Sequence, residues 1–498
     1  MRWSRDVPPA GYTLNDVPTF RRHHRPFRDF RIPYEAPVTR LLAHSTRVCR
    51  RSCLTQVWGR GASSGMQSPP NPQPEPLYQR DRVTIGRVWG DTQPVRLNTN
   101  DLSRHLLILG QTGTGKSTLL ANVLLQQIYQ GEGVGLIDPH GDLCRQVLDQ
   151  VPRSRSDDTI YIDAADETFA IAVDWFGRQI DPLKRPLVAQ SIVGAMKGRW
   201  RDSWGPRMEF ILHASLLALL ECPNTSLLGL PRLLSDPRYR DWVIQQVSDP
   251  AVRHFFQNEM ERWDKRQHAE FVSPIQNKVG QLFLSPHLRG LFGQATARLN
   301  LRNAMDRRQV LLVNLNKGSL GEENADLLGS MLLAMIEAAA MSRADVPEND
   351  RVRFTLVVDE FASVSTDRFA RALSESRKYR LGLVLAGQFM DQLAPDVRSA
   401  LIGNVGTMIC LRVGTTDAEL LARHVGGSNF RADALTELAN HTAIVRRFAA
   451  VDDPFRIDLL PPIQTGLRHG DHHRDQSRKR FGTPRGQVED RIRRWMAN

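Results

Sequence analysis

Residues 105–118 read HLLILGQTGTGKST, and no other stretch restricts what this chain can fold into so tightly. Four apolar residues, Leu106–Leu109, run into Gly110-Gln111-Thr112-Gly113-Thr114-Gly115-Lys116-Ser117, a full match to G-x-x-x-x-G-K-S. An apolar-rich segment, Ser117–Tyr129, reads as the helix that follows. A strand, a glycine loop and a helix in that order form a phosphate cradle. The glycines let backbone N–H groups turn inward, and the helix aims its positive end at the bound anion. Lys116 is expected to span the β- and γ-phosphates and the Ser117 hydroxyl to ligate Mg²⁺, with Thr118 a helix and phosphate neighbour. ATP and Mg²⁺ are therefore the expected ligands of residues 110–118.

A parallel sheet covered on both faces is the setting such a loop needs, and its strands read as short, unbroken apolar runs. Gly133–Ile137, Thr159–Ile162, Val310–Leu315, Phe354–Val358, Leu381–Ala386 and Met408–Leu411 have that character. Helical stretches at Leu143–Leu148, Leu327–Met341, Arg368–Arg377 and Asp417–His424 separate them. Arg82–Val88 and Gln93–Leu97 read as two short strands around a turn at Gly90-Asp91. The expected class is α/β with a mostly parallel central sheet.

Hydrolysis needs carboxylates across from the loop. Phe354–Val358 ends in Asp359-Glu360, and a carboxylate at the C-terminal end of a parallel strand faces the nucleotide crevice. Asp359 is expected to orient the metal and Glu360 to polarise the attacking water. Asp138, after the apolar run in GLIDPHGDL, competes for the metal role; with His140 and Asp142 it otherwise lines the crevice. Leu381–Ala386 leads to Gln388, an amide placed to sense γ-phosphate or lytic water. Arg377 is the first choice for an arginine offered to a neighbouring subunit's γ-phosphate, and Arg412 its rival.

The order of the chain suggests six parts. Residues 1–60 are basic, with twelve arginines against four acids, and show no sustained period. Residues 61–77 form a linker, with prolines at 69, 70, 72, 74 and 76. Residues 78–180 and 302–460 are the two parts of the nucleotide-binding domain. Between them, 181–301 favours helix almost throughout, which is too long for a loop and reads as an inserted all-helical domain. Its helices are expected at Leu183–Met196, Met208–Leu220, Arg238–Val247, Ala251–Arg266 and Ala269–Phe283. Residues 461–498 read as a basic tail, in which His469, His472 and His473 have no helix or strand to fix a metal geometry. The net charge of +12 thus sits at the two ends, which suits non-specific contact with nucleic acid or a solubilising role. Trp200, Trp204, Trp242 and Trp263 are expected to pack between helices rather than stack on bases.

Five widely spaced cysteines offer no disulfide framework or zinc site, and no apolar run reaches the roughly 18–20 residues that span a bilayer. A cytoplasmic protein without direct membrane insertion is expected.

Taken in order, HLLILGQTGTGKST, GLIDPHGDL, LLVNLNKGSLG (311–321), VVDEF (357–361), LVLAGQ (383–388) and GNVGTMICLRVGTTDAELL (403–421) resemble the type IV secretion coupling-protein and HerA-like branch of hexameric DNA-pumping ATPases. Residues 183–300, with WGPRMEFILHASLLALL at 204–220, resemble the all-helical domain inserted in the coupling-protein ATPase. The resemblance covers roughly 80–460. It implies a RecA-like P-loop NTPase that forms a homo-hexamer, threads DNA non-specifically through a central channel and meets secretion or relaxosome partners. Lys116, Ser117, Asp359, Glu360 and Gln388 fall in the matching positions, and Arg377 would be the arginine finger. Membrane-anchored coupling proteins begin with transmembrane helices; this chain shows none, which points to a soluble relative. Two other uses of the fold stay open: an ATPase energising secretion-system assembly or protein export, and a non-hydrolysing scaffold.

Overall fold

A computed structural model describes residues 81–497 apart from 177–181, 367–368, 370–372, 427–429 and 449–452. The arginine-rich segment 1–60 and the proline linker 61–77 lie outside the described residues.

The sheet has eleven strands: β1 (Arg82–Val88), β2 (Pro94–Asn98), β3 (Leu106–Leu109), β4 (Gly133–Asp138), β5 (Thr159–Asp163), β7 (Val310–Asn314), β8 (Phe354–Val358), β9 (Leu381–Gly387), β10 (Thr407–Cys410), β11 (Thr442–Arg447) and β12 (Phe455–Leu459). Across the sheet they run β2-β1-β12-β11-β10-β3-β9-β8-β4-β7-β5. The seven from β10 to β5 are parallel, and the four at the other edge pair antiparallel. Every residue of β3, β4, β7, β8, β9 and β10 is buried, as expected of strands packed on both faces. Alternation sorts their side chains between two cores. Leu106 and Ile108 join the Lys116–Tyr129 helix and the antiparallel strands on one side. Leu107 and Leu109 face the larger core on the other, with the Glu322–Met341 helix and the helices between 185 and 292.

Among the described residues one helix, running on from Glu322 to Asp345, is long and apolar enough to cross a membrane; 89% of its most apolar window is buried in the protein, so it is a core helix. It packs along Arg185–Arg199, which in turn lies against Pro206–Glu221. The helix expected over Ala251–Arg266 is not continuous. It breaks into Pro250–His254, a π turn at Phe255–Glu259 and a 3₁₀ turn at Met260–Arg262 before Asp264 caps the Lys265–Leu284 helix. The wide π turn leaves Phe255 in edge contact with Phe210, Phe256 and Trp263. Trp200, Trp204 and Trp263 pack partly buried against the larger core, whereas Trp242 stays 45% exposed.

The expected basic tail is a correction to the sequence reading: residues 461–497 are folded, not a solvated tail. Gly470–Phe481 and Arg485–Ala497 are helices, joined through β13 (Gly482–Pro484), which pairs with β6 (Phe169–Ile171). The first helix is almost devoid of apolar residues, so periodicity does not announce it. It docks by polar contacts instead. His473 Nε2 donates to Val151 O at 2.9 Å, Ser477 Oγ accepts from Tyr161 N and donates to Tyr161 O, and Arg478 pairs with Asp166 at 2.8 Å. Arg289 pairs with Glu489, and Arg232 donates to Trp495 O. Burial pushes the His473 imidazole below its ordinary range. A share of this segment's basic charge is thus consumed internally.

Candidate nucleotide site

Parallel strands bring their C-terminal ends to one edge, and the side chains singled out in the sequence collect there because each follows such an end. Gly110 opens the loop after β3, Asp359-Glu360 follow β8, and Gln388 follows β9; β9 lies between the other two strands. The loop folds onto the N-terminus of the Lys116–Tyr129 helix. Gly113 and Gly115 take φ of +78° and +114°, a region that side-chain-bearing residues enter only with strain. At Gly115 a Cβ would also stand 2.9 Å from His441 Nδ1. Thr114 is buried with its hydroxyl on Gln111 O, while Thr112, Gly113 and Ser117 face outward.

Lys116 is buried, and its ammonium donates to Gly110 O at 2.5 Å and Gln111 O at 3.2 Å. Burial lowers its pKa, opposed by the nearby Glu360 and Asp359 carboxylates. Asp359 is 8% exposed, and its pKa is pushed up to about 6 by burial first, then by Asp138 and Glu360. A carboxylate so placed gains from a cation beside it. Glu360 sits at φ +46°, ψ +46°, a conformation that costs a non-glycine residue on the order of 1–3 kcal/mol and gathers at working sites.

The loop and the acids are tied through Gln388. Thr112 Oγ1 donates to Gln388 Oε1 at 3.0 Å, and Gln388 Nε2 donates to Glu360 Oε1 at 2.7 Å. One amide therefore touches both the loop and the acid expected to polarise water. Beyond it, Asp417 Oδ1 accepts from Met390 N and anchors the segment leaving the site.

Two acids expected to line the crevice are engaged elsewhere. Asp138 is buried and holds its own turn, accepting from His140 N at 2.9 Å and Cys144 N at 2.8 Å, so both its oxygens are engaged by backbone. Asp142 is exposed and pairs with Arg145. Arg377 is exposed in a 3₁₀ turn before β9, at the opposite end of a seven-residue strand from Gln388. At about 3.3 Å per residue that is roughly 20 Å, so Arg377 does not reach the loop of its own chain. Arg412 lies beside the loop: its carbonyl accepts from Gln111 N, and its guanidinium donates to Leu438 O.

Two residues enter that sequence reasoning missed. His441 adopts φ +62°; its N–H donates to Thr114 O at 2.9 Å and its carbonyl accepts from Leu459 N at 2.8 Å, riveting β11 and β12 to the loop. Asn314, buried at the end of β7, donates to Tyr161 and Asp163 and accepts from Asn316 N. Its place in LLVNLN, at the end of an apolar run, is the signal that could have singled it out. Nothing in the sequence marks His441, because a positive φ at histidine is imposed by tertiary contacts.

No cluster of three or more His, Cys, Asp or Glu able to hold a metal occurs among the described residues. That is compatible with Mg²⁺, which such sites bind by one or two protein oxygens plus nucleotide phosphates and water rather than in an all-protein cage. The Ser117 hydroxyl, exposed at the start of the helix, and the buried Asp359 carboxylate offer oxygens of the expected kind.

Residues 83–172 match the family model described as the central domain of helicase HerA. The DNA double-strand break repair helicase HerA of Saccharolobus solfataricus is 43% identical over 68 residues, 13% of this chain and 13% of that protein. The type 4 coupling protein DotL of Legionella pneumophila is 22% identical over 398 residues, 68% of this chain and 50% of DotL. The chain thus spans at most half the length of these curated relatives. Among solved structures, the bacterial conjugative coupling protein TrwB, solved as TrwBdeltaN70, superposes with a TM-score of 0.54 at 19% identity, over 78% of this chain and 92% of that truncated chain. VirB4 of Thermoanaerobacter pseudethanolicus gives 0.52 at 16%, over 76% and 96%. TrwB has been solved in complex with ADP and Mg²⁺. At these identities the two structures speak for a shared fold: a RecA-like P-loop architecture.

Proposed function

We propose that the chain is a P-loop ATPase of the HerA-like and type IV coupling-protein kind, and that it hydrolyses ATP to move DNA, as a homo-hexameric ring. The observation that carries the reading is the Thr112–Gln388–Glu360 hydrogen-bond chain, which connects the phosphate loop to the acid that would activate water.

In this mechanism the backbone amides of Gly113 to Thr118 cradle the phosphates. Lys116 turns from the carbonyls of Gly110 and Gln111 to the β- and γ-phosphates. Ser117 and Asp359 would hold Mg²⁺, and the ion would offset negative charge on the phosphates when bound. Glu360 polarises a water in line with the γ-phosphate, and Gln388, touching both Thr112 and Glu360, senses whether that phosphate is present. Arg377, too far from its own loop, serves the γ-phosphate of a neighbouring copy. Mixing Arg377→Ala with Lys116→Ala chains tests this: recovery of turnover supports action across a subunit boundary, and none sinks it.

The deciding experiment is the ATPase rate of the purified chain with and without single- and double-stranded DNA, alongside a mass measurement. A DNA-stimulated, salt-sensitive rate in an assembly of six copies is expected. A rate indifferent to DNA would favour the alternative of an ATPase energising secretion-system assembly or protein export. No turnover by a well-folded assembly would leave a nucleotide-binding scaffold.

A further inference from the structure

The four antiparallel strands carry six arginines, at 82, 87, 96, 446, 447 and 456, against one acid, Asp458. Their apolar residues Val83, Ile85, Val95, Leu97, Ala443, Val445 and Ile457 all enter the core that includes the Lys116–Tyr129 helix. Alternation turns the intervening residues of β11 and β12 to the opposite face, and in β1 the register shift between Thr84 and Gly86 brings Arg87 to that face as well, opposite Asp458. Close to the phosphate loop that face is covered, since Ile444 shares a cluster with Leu435 and Leu438. Further along it is not: Arg87, Trp89 and Phe448 are exposed, and Arg446 and Arg456 are half-buried.

The exposed residues follow a track. Trp89 N donates to Arg456 O at 3.0 Å, and the Arg456 guanidinium lies 4.3 Å from the Trp89 ring centroid. Arg456 pairs across the ladder with Ile444, two residues before Arg446, whose guanidinium stands 6.0 Å from the Phe448 ring. From Trp89 to Phe448 the track crosses two strand spacings, about 10 Å, and descends four residues, about 13 Å. The diagonal is about 16 Å, long enough to carry a few nucleotides of an extended single strand. Trp89 remains 56% exposed and Phe448 39% exposed despite these neighbours. Of the acids nearby, Asp458 stands opposite Arg87 in the ladder, Asp453 is exposed just before β12, and Asp91 is occupied by the amides of Thr92 and Gln93.

We propose that this face of the antiparallel edge is a docking surface for a single nucleic-acid strand, with Trp89 and Phe448 stacking on bases and Arg446, Arg456 and Arg87 on phosphates. Aromatic faces alternating with cations along a one-sided sheet are what a flexible polyanion carrying flat bases requires. The proposal rests on the reading of DNA as the cargo. It adds a site at the end of the sheet away from the nucleotide, joined to it by β11 and β12 through His441.

The test is fluorescence anisotropy of a labelled oligothymidine of about 20 nucleotides with the full chain at several salt concentrations. Trp89→Ala, Arg446→Ala/Arg456→Ala and Arg456→Lys are compared with wild type. Trp89→Ala should weaken binding about tenfold. The double arginine variant should flatten the salt slope by about 0.7 per lost phosphate contact. Arg456→Lys should retain the slope. DNA-free ATP turnover and circular dichroism should stay at wild-type values, which separates lost binding from lost folding. Should wild type bind and respond to DNA while all variants match it, this surface is wrong and the DNA reading stands. Should wild type neither bind nor respond, both fail. A change in assembled mass in place of strand affinity would make this face a contact between copies and overturn the proposal.

Discussion

The two ends of this sheet obey different rules although one ladder runs through both. From β10 to β5 the strands are parallel and buried on both faces, and their chemistry sits only where they end. From β11 to β2 they are antiparallel and, away from the phosphate loop, buried on one face, and their charged residues lie along the strands themselves. A parallel strand sealed by helices cannot offer a side chain to a ligand except at its tip, so Lys116, Glu360 and Gln388 converge from separate strands on one crevice. An antiparallel strand with a wet face can present every second residue, which suits an extended partner. The first geometry favours a compact, chemically exact ligand, the second a polymer.

The largest expected effect is the cleanest division between the halves. Lys116→Ala should lower ATP turnover roughly 10³-fold or more while leaving the thermal midpoint and strand affinity near wild type. Single-turnover kinetics beside an anisotropy titration measures both. Wild-type turnover in this variant would remove the loop from its assigned role, and loss of strand binding would show that the halves are not separable.

Glu360→Gln should reduce turnover on the order of 10²-fold or more yet retain ATP binding, since the amide keeps a partner for Gln388 and loses only the base. Equilibrium binding of a fluorescent ATP analogue, compared with steady-state release of phosphate, checks it. Equal losses in binding and turnover would mean that Glu360 holds the site together rather than activating water.

How much of this was legible in the sequence follows the same division. Leu106–Leu109 and Phe354–Val358 read correctly to the residue, because burial on both faces leaves nothing but apolar residues between polar boundaries. β11 and β12 went unread. Their sequences, TAIVRR and FRIDL, spend polar residues on the open face, and short alternation interrupted by arginine resembles a loop. The Gly470–Phe481 helix escaped for a related reason, since it is held by His473, Ser477 and Arg478 and hardly at all by apolar packing. At the site, motif order pointed to Asp359, Glu360 and Gln388, but not to the link through Thr112, nor to Asp138 as the keeper of its own turn. Sequence periodicity reports burial well and polar docking poorly.

His105 offers a smaller effect within the parallel half. Its φ is +67°, its Nε2 donates to Leu373 O at 2.9 Å, and its Nδ1 accepts from Leu383 N at 3.1 Å. Burial pushes its pKa from the ordinary 6.5 to about 4, with Arg377 nearby acting in the same direction. The imidazole is thus neutral when folded, and the unfolded chain takes up the proton first as pH falls. Stability should be full above pH 6.5 and decline as pH drops toward about 4, by on the order of 3 kcal/mol. His105→Asn tolerates the positive φ and removes the titrating group, so its urea midpoint should depend less on pH over that window. An equal slope in both proteins would place the acid sensitivity elsewhere.

The smallest effect concerns the residue where the halves meet. His441 ties β11 to the loop through backbone groups, its N–H to Thr114 O and its carbonyl to Leu459 N, while its ring lies against Gly115. His441→Gly keeps both backbone bonds and suits the φ of +62°. Relief of left-handed strain, about 1–2 kcal/mol, is offset by about 0.5–1 kcal/mol of added freedom in the unfolded chain, so stability should change by no more than about 1 kcal/mol. What should change is communication. If the ring transmits displacement of β11 to Gly115, DNA-stimulated turnover will fall toward the DNA-free rate while ATP affinity and strand affinity persist. Stimulation that survives intact would locate the coupling in the backbone bonds alone, and the two halves would then be joined by the ladder rather than by the imidazole.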